Sequence, residues 1–317
     1  MNENLMQAGA FAAIWLGTWL ALQILQALIY PLLRPALSRL HPAPASSLAL
    51  LWMALPMTLG LLSTTLLFMP EAEDLLVAAH CHSDCGAHSP QFRVPWLQAA
   101  GLVVLLAMMI WLAWHASRSL LLSRRLHRQL AAVAVARGPW QVLPETGPLV
   151  FTIGWRRPRI YITEGLLRQC SSAELTIMLA HEYEHGRRRD NARLLLGKLF
   201  LLPLPNVLAS TMITDLQLFA EASCDAAAAR DNDSADVATT LLRMHRLVPS
   251  RFHLAGSEMT TAFTGAEVER RIRLLLENRL SPRHPIVTLI SGVLAVLMLA
   301  LVLVNPLHQL VEALASL

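Results

Sequence analysis

Ser171-Ser172-Ala173-Glu174-Leu175-Thr176-Ile177-Met178-Leu179-Ala180-His181-Glu182-Tyr183-Glu184-His185-Gly186 is the run that the rest of the chain has to serve. Ser171-x-x-Glu174 has the form of a capping box, and the apolar residues Leu175, Ile177, Met178 and Leu179 follow it, so a helix is predicted from Ser171 to about Arg189. Within that helix His181 and His185 are four apart and therefore share a face, where two imidazoles can address one metal ion. Glu182 sits one step round the helix, placed to handle the proton of an attacking water. A chance match on a helix whose histidines pack or face solvent is the plainer alternative. The capping box, the helical run and the acidic residues downstream all argue against it.

The composition sets the frame for this helix. Of 317 residues, 55% are hydrophobic and 15% charged, and the mean hydropathy is +0.46. This is too apolar for an ordinary soluble domain and implies membrane spans around one soluble region. The net charge of +4 comes from arginines near the expected membrane faces, with no basic-aromatic pattern that would suggest direct nucleic-acid binding. Four cysteines do not make a disulfide scaffold.

Four stretches exceed the roughly 20 apolar residues that a bilayer crossing needs: 4–33, 42–70, 94–114 and 285–307. The first lacks the basic flank of a cleavable leader, and Pro56 should kink the second. Buried core helices are the alternative for each. Arg34 and Arg39 lie between the first two stretches, Arg118, Arg124, Arg125 and Arg128 follow the third, and Arg279 and Arg283 precede the fourth; Glu71, Glu73 and Asp74 follow the second. The excess of arginine on cytoplasmic loops then puts the N-terminus outside, 34–41 inside, 71–93 outside, 115–284 inside and the C-terminus outside. The expected location is a bacterial inner membrane, crossed several times.

The domain plan is a membrane region over 1–137, a cytoplasmic zinc protease domain over 138–284, and a fourth span with an outside tail over 285–317. The membrane region holds spans near 8–33, 46–69 and 94–114, an outside loop at 70–93, and a basic juxtamembrane helix at 116–135 against anionic lipid. The soluble part opens with short strands at Leu149–Ile153 and Arg159–Thr163. The apolar stretch 194–212, broken by Pro203 and Pro205, resembles a fifth span by hydropathy. A single crossing there would separate Glu221 and Asp225 from His181 by a membrane, so a helical hairpin entering the bilayer or packing on the spans is expected instead. Further helices are expected over 215–230, 235–247 and 265–279. The fold class is a mainly α membrane protein with four transmembrane helices and an α+β zincin-like, gluzincin-type protease domain.

A catalytic zinc takes three protein ligands and keeps one position open. The position where a third histidine would fall is Asn191, so the third ligand lies elsewhere, and Glu221 in Glu221-Ala222-Ser223-Cys224-Asp225 fits best by spacing. A solvated acid is the plain alternative for Glu221. Asp225, one turn on, would accept the other ring N–H of a ligand histidine; Asp190 could do the same or simply end the helix. Arg271 is the candidate for stabilising the oxyanion, with an ion pair to Glu269 as the alternative. Substrate would lie extended along the edge strand at Leu149–Ile153.

With Pro148, Gly154, Pro158-x-Ile160, Leu179-Ala180-His181-Glu182-x-x-His185-x-x-Arg188-x-Asp190-Asn191, Glu221-x-x-Cys224-Asp225 and Arg271-Ile272-x-x-Leu275 in view, the chain resembles the membrane metalloproteases of the beta-lactam sensor and methicillin-resistance receptor family. The resemblance implies one zinc per chain held by His181, His185 and Glu221, and cleavage of a cytoplasmic protein, such as a winged-helix transcriptional repressor, in response to an outside signal. Those receptors continue into an extracellular penicillin-binding domain, whereas this chain ends ten residues after Leu307, so beta-lactam sensing is not expected. The zinc pattern is also similar to that of the heat-shock and prenyl-protein membrane proteases, which implies quality control of membrane proteins as an alternative. A receptor that uses the zinc domain only for interaction is a third reading, and the intact Glu182 argues against it. Expected partners are the cytoplasmic substrate and the lipid bilayer, with a homodimer left open.

The outside loop packs His80, Cys81, His82, Cys85 and His88 into nine positions. Outside the cytoplasm a Cys81–Cys85 disulfide is the plain reading; a metal-binding or redox-sensing loop is the sharper one. Cys170 and Cys224 are expected as small core residues.

Overall fold

The computed structural model describes residues 3–69, 75–77, 95–155, 157–247, 265–277 and 285–315. The loop residues His80, Cys81, His82, Cys85 and His88 fall outside the described residues.

Among the described residues, four helices are long and apolar enough to cross a membrane by length and composition. They are α1 (Glu3–Ser38), α2 (Pro42–Leu67), α3 (Pro95–Val133) and, last in the chain, α10 (Pro285–Ala315). His41 caps α2 with its ring nitrogen accepting from the Ala43 N–H, and Pro42 follows where its missing N–H costs nothing. Glycine lets α1 and α3 pack backbone to backbone: a Cβ on Gly101 would stand 2.7 Å from the Gly9 carbonyl. Ser63 of α2 donates to the Ala300 carbonyl of α10 at 3.2 Å.

The basic stretch 116–135 is helical as far as Val133, where it continues the third membrane-length helix without a break. α3 is a single helix of 39 residues, about 58 Å long at 1.5 Å per residue, well beyond a hydrocarbon core of roughly 30 Å. Hydropathy drops after Trp114, but the residues there are mainly Ala, Leu, Ser and Arg, and nothing in them breaks a helix. Leu126 and Leu130 of its last turns pack against Leu143, Phe151 and Tyr161 of the sheet, so α3 joins the bundle of membrane-length helices to the next layer.

That layer is one four-stranded sheet of β1 (Val135–Arg137), β2 (Trp140–Leu143), β3 (Val150–Ile153) and β4 (Arg159–Thr163), in the order β1-β2-β4-β3. It starts three residues before the domain start expected at 138. Gly138, at φ +66°, makes the tight turn into β2. β2 runs parallel to β4, and β3 pairs antiparallel with β4, Val150 opposite Ile162 and Thr152 opposite Ile160, which leaves β3 at the edge.

Helices complete the domain: α4 (Glu164–Gln169), α5 (Ser172–Arg188), α6 (Asp190–Leu201), α7 (Asn206–Ala228), α8 (Ser234–Leu247) and α9 (Gly265–Leu276). The stretch 194–212 is a helical hairpin: α6 ends at Leu201, a turn over 202–205 carries both prolines, and α7 begins at Asn206. Its Leu201, Leu204, Met212, Leu216 and Phe219 form one buried cluster with Tyr30 and Leu37 of α1 and Ala45, Ala49 and Met53 of α2. The hairpin is therefore a core segment packed on the first two membrane-length helices.

Candidate metal centre

The capping box forms as its sequence predicts. Ser171 Oγ accepts from the Glu174 N–H, and Glu174 accepts from the Ser171 N–H at 2.8 Å. α5 therefore starts in fixed register, with His181 and His185 one turn apart on the side facing α7. It ends at Arg189, whose φ of 56° is left-handed, and the chain reverses at once into α6.

Their ring nitrogens Nε2 lie 3.1 Å apart. His181 Nε2 is 3.4 Å from Glu221 Oε2, and His185 Nε2 is 3.4 Å from Glu221 Oε1. A tetrahedral zinc with bonds of about 2.0–2.1 Å needs ligand atoms roughly 3.3 Å apart, so these three residues fit the ion. The other side of each ring makes the same point. His181 Nδ1 is 2.9 Å from Asp225 Oδ1, and His185 Nδ1 is 3.0 Å from Asp190 Oδ2. A carboxylate only accepts, so each Nδ1 carries the proton and each Nε2 presents a lone pair. Two lone pairs facing one another at 3.1 Å repel unless a metal ion stands between them or, in the metal-free site, a proton on one Nε2 bridges them.

Protonation of the metal-free site follows the same logic. Burial pulls the His181 pKa down, but the hydrogen bonds with Asp225 and Glu221 outweigh burial and leave it raised. Burial also opposes a charged His185, yet its contacts with Cys224, Glu221 and Asp190 hold its pKa well above the usual value. For Glu221, burial pushes upward while the charges of His185 and Arg271 pull the carboxyl well below its ordinary range. Asp225 is likewise raised by burial and lowered by more through Arg271. Without metal, protons supply the positive charge that this set of acids demands.

Cys224 also lies within 4.8 Å of both histidines and is a third metal-capable group in the cluster. It is a poor ligand here. In the metal-free site burial pushes its thiol up to about 12, and the thiol is turned to Asp190 Oδ2, to which it donates at 3.6 Å on the Nδ1 side of His185.

One placement differs from the sequence expectation. Arg271 is buried, donates from Nε and Nη2 to Asp225 at 2.8 and 2.6 Å, and brings Nη1 within 3.1 Å of Glu221 Oε2. Its guanidinium braces the carboxylates instead of facing a reacting carbonyl, and Glu269, its expected ion-pair partner, bonds Arg273 at 2.8 Å. Asp190, expected either to orient a histidine or to end the helix, orients His185 and also opens α6.

Thr152 carried no signal in the sequence beyond its place in a strand. From β3 its hydroxyl donates at 2.8 Å to Glu182 Oε2, with the Glu182 carbonyl at 3.0 Å. Asn191 Nδ2 in turn donates to the Thr152 carbonyl at 3.1 Å and ties the edge strand to α6. Gly186 lets α5 approach this strand turn, where a Cβ would already be 3.3 Å from Pro158.

Residues 117–266 match the family model described as Peptidase family M48. The match runs from within α3 through the sheet to the start of α9, and covers both histidines, Glu182 and Glu221 but not Arg271. It supports a zinc metallopeptidase family and, with the four apolar helices, a metallopeptidase built on membrane-length helices. It does not extend to the receptor type that the sequence resembles. Comparison with curated proteins and with solved structures finds no match.

Proposed function

We propose that the chain is a membrane-embedded zinc metalloendopeptidase that hydrolyses a peptide bond of a cytoplasmic protein in transmembrane signalling, with a transcriptional repressor as the substrate class. The single observation that carries the peptidase reading is the pair of Nε2 atoms 3.1 Å apart, each with its Nδ1 committed to a carboxylate and Glu221 closing the third side. When bound, zinc supplies a Lewis acid for the scissile carbonyl and lowers the pKa of water towards about 7. Glu182, held by Thr152, takes the proton of the attacking water and returns it to the leaving amine. Arg271 keeps Glu221 and Asp225 ionised and in place. Substrate adds as a strand beside β3, the edge nearest Glu182.

The topology proposed is an outside N-terminus, 34–41 and 115–284 inside, and 71–93 and the C-terminus outside, in the inner membrane of a bacterium. The ion pair between Arg34 and Asp215 supports the placement of 34–41 on the same side as the metal helices. The histidine- and cysteine-rich stretch 80–88 is the proposed outside sensor. A second reading, quality control of membrane proteins, draws on the hairpin of α6 and α7, which seats the metal helices directly against α1 and α2.

Comparative proteomics of cells carrying the native chain or Glu182→Gln tests the reading. A single stabilised cytoplasmic regulator is expected in the variant. Stabilisation of many damaged membrane proteins would select quality control, and unchanged proteomes with an intact signal would remove proteolysis altogether.

A further inference from the structure

Two polar contacts join the inner ends of α1 and α2 to the metal centre, and they reach different ligands. Ser46, fully buried in the second turn of α2, accepts from Arg188 Nη2 at 3.0 Å and from Arg193 Nη2 at 3.1 Å. Both lone pairs of its hydroxyl are then used. Arg188 Nε donates to Asp190 at 3.2 and 3.3 Å, and Asp190 accepts the His185 Nδ1–H. Ser46 is thus three direct contacts from a metal ligand that lies 139 residues further along the chain.

On the other side Asp215 of α7 is buried and accepts from Arg34 Nε at 2.6 Å, Arg34 Nη2 at 2.9 Å and the Tyr30 hydroxyl at 3.0 Å. Arg270 of α9 stands 3.8 Å from the same carboxylate, next to the Arg271 that braces Glu221 and Asp225. Asp215 therefore fixes α7, the helix that presents Glu221, against α1. The apolar cluster of Tyr30, Leu37, Ala45, Ala49 and Met53 with Leu201, Leu204, Met212 and Phe219 fills the space between the two contacts. If α1 and α2 were needed only to anchor the chain in lipid, apolar side chains at 34 and 46 would serve. The polar contacts are aimed instead at the residues behind the two ligand helices.

We infer that Ser46 and Arg34 are positioning residues of the metal centre: the inner ends of α1 and α2 hold His185, through Arg188 and Asp190, and Glu221, through Asp215, at the spacing that binds zinc. The inference rests on the zinc-peptidase reading above and deepens it, because a shift of α2, which leads to the stretch 70–93, becomes a change in how tightly the site holds its ion. Removing an outer partner of a metal ligand typically costs 10–100-fold in metal affinity. Ser46 acts two contacts further out, so an effect of roughly 3–10-fold is expected.

The test uses the full chain in lipid nanodiscs, with zinc release to a chelator as the primary readout and peptide cleavage as the second. Ser46→Ala and Arg34→Gln should each release zinc roughly 3–10-fold faster and lower kcat with little change in KM, and Ser46→Thr should restore the native rate. Ser47→Ala is the control. Ser47 is exposed and touches only Arg193 of the same group, at 3.3 Å, so its loss should leave zinc release unchanged. Native release rates in both Ser46→Ala and Arg34→Gln overturn the inference while leaving the peptidase reading intact. A native chain that holds no zinc overturns the peptidase reading instead. If Ser46→Ala does not fold, the near-isosteric pair Ser46→Thr and Ser46→Val decides: equal zinc release in the two removes any role for the hydroxyl.

Discussion

The two halves of the metal centre are built to one plan with different materials. On the α9 side, His181 is oriented by Asp225, which receives a two-pronged contact from the buried Arg271. On the α2 side, His185 is oriented by Asp190, which is shared among Arg188, Arg193 and the Cys224 thiol and backed by a neutral serine. One side relies on a single strong ion pair inside the domain; the other spreads the same task over several weaker contacts that end in the bundle of membrane-length helices. The difference teaches where the centre is rigid and where it can be adjusted.

The largest expected effect is on the α9 side. Arg271→Leu leaves Asp225 buried without its counter-charge, and breaking such a pair costs on the order of 3–5 kcal/mol. Thermal unfolding of the metal-free chain should fall sharply and zinc should be lost. Arg188→Gln should do much less, because Arg193 Nε remains 3.6 Å from Asp190. An equal loss from Arg188→Gln would break the comparison.

Next come the two orienting acids. Asp225→Ala and Asp190→Ala should each weaken zinc by roughly 10–100-fold. Asp225→Ala should be the worse of the two, since it also strands Arg271. Isothermal titration in the presence of a competing chelator ranks them directly.

A pH series sharpens the contrast further. Both histidines carry raised pKa values in the metal-free site, His185 by more, and zinc must displace those protons. Zinc affinity should therefore climb with pH by up to about tenfold per pH unit for each proton displaced, and level off only above the raised His185 value. Stability of the metal-free chain should move the other way. A raised imidazole stabilises the fold fully below the unfolded pKa of about 6.5, and that contribution is lost as pH rises through the folded value. Glu221 and Asp225, being depressed, stabilise above the unfolded carboxyl pKa and lose their contribution as pH falls through the lower folded values. Zinc affinity that is flat between pH 6 and 9 would contradict the assignment of the two imidazoles as ligands.

What could be read from the sequence is what depends on neighbours along the chain. Ser171 and Glu174 start α5, the four-residue spacing puts His181 and His185 on one face, and the prolines at 203 and 205 turn the hairpin; each is a local rule. Glu221 and Asp225 could be placed because one helical turn separates them and the motif demanded a third ligand. Ser46 with Arg188, Arg34 with Asp215 and Thr152 with Glu182 lie 142, 181 and 30 residues apart. Their side chains meet only because α1, α2 and β3 pack where they do, and nothing in their local sequence distinguishes them from an ordinary serine, arginine or threonine. The continuity of α3 was hidden for a different reason. Hydropathy measures where lipid can end, whereas the helix persists as long as its residues favour helix, and Arg118 to Arg128 change the first without disturbing the second.

The smallest expected effect separates the proton-handling group from both halves of the metal cage. Thr152 belongs to neither side: it stands on β3 and its hydroxyl reaches Glu182 alone. Thr152→Val keeps the β-branched shape that suits a strand and removes only the hydroxyl. Its hydrogen bond to a carboxylate is worth about 1.5–3 kcal/mol where it is charge-assisted, and part of that will be recovered by water because the contact is only part-buried. A fall in kcat of about tenfold is expected, with zinc content and the zinc release rate unchanged. Thr152→Ser should return most of the activity. If Thr152→Val instead loses zinc, the strand and the metal cage are one mechanical unit, and the division into two braced halves with a separate proton-handling arm is wrong.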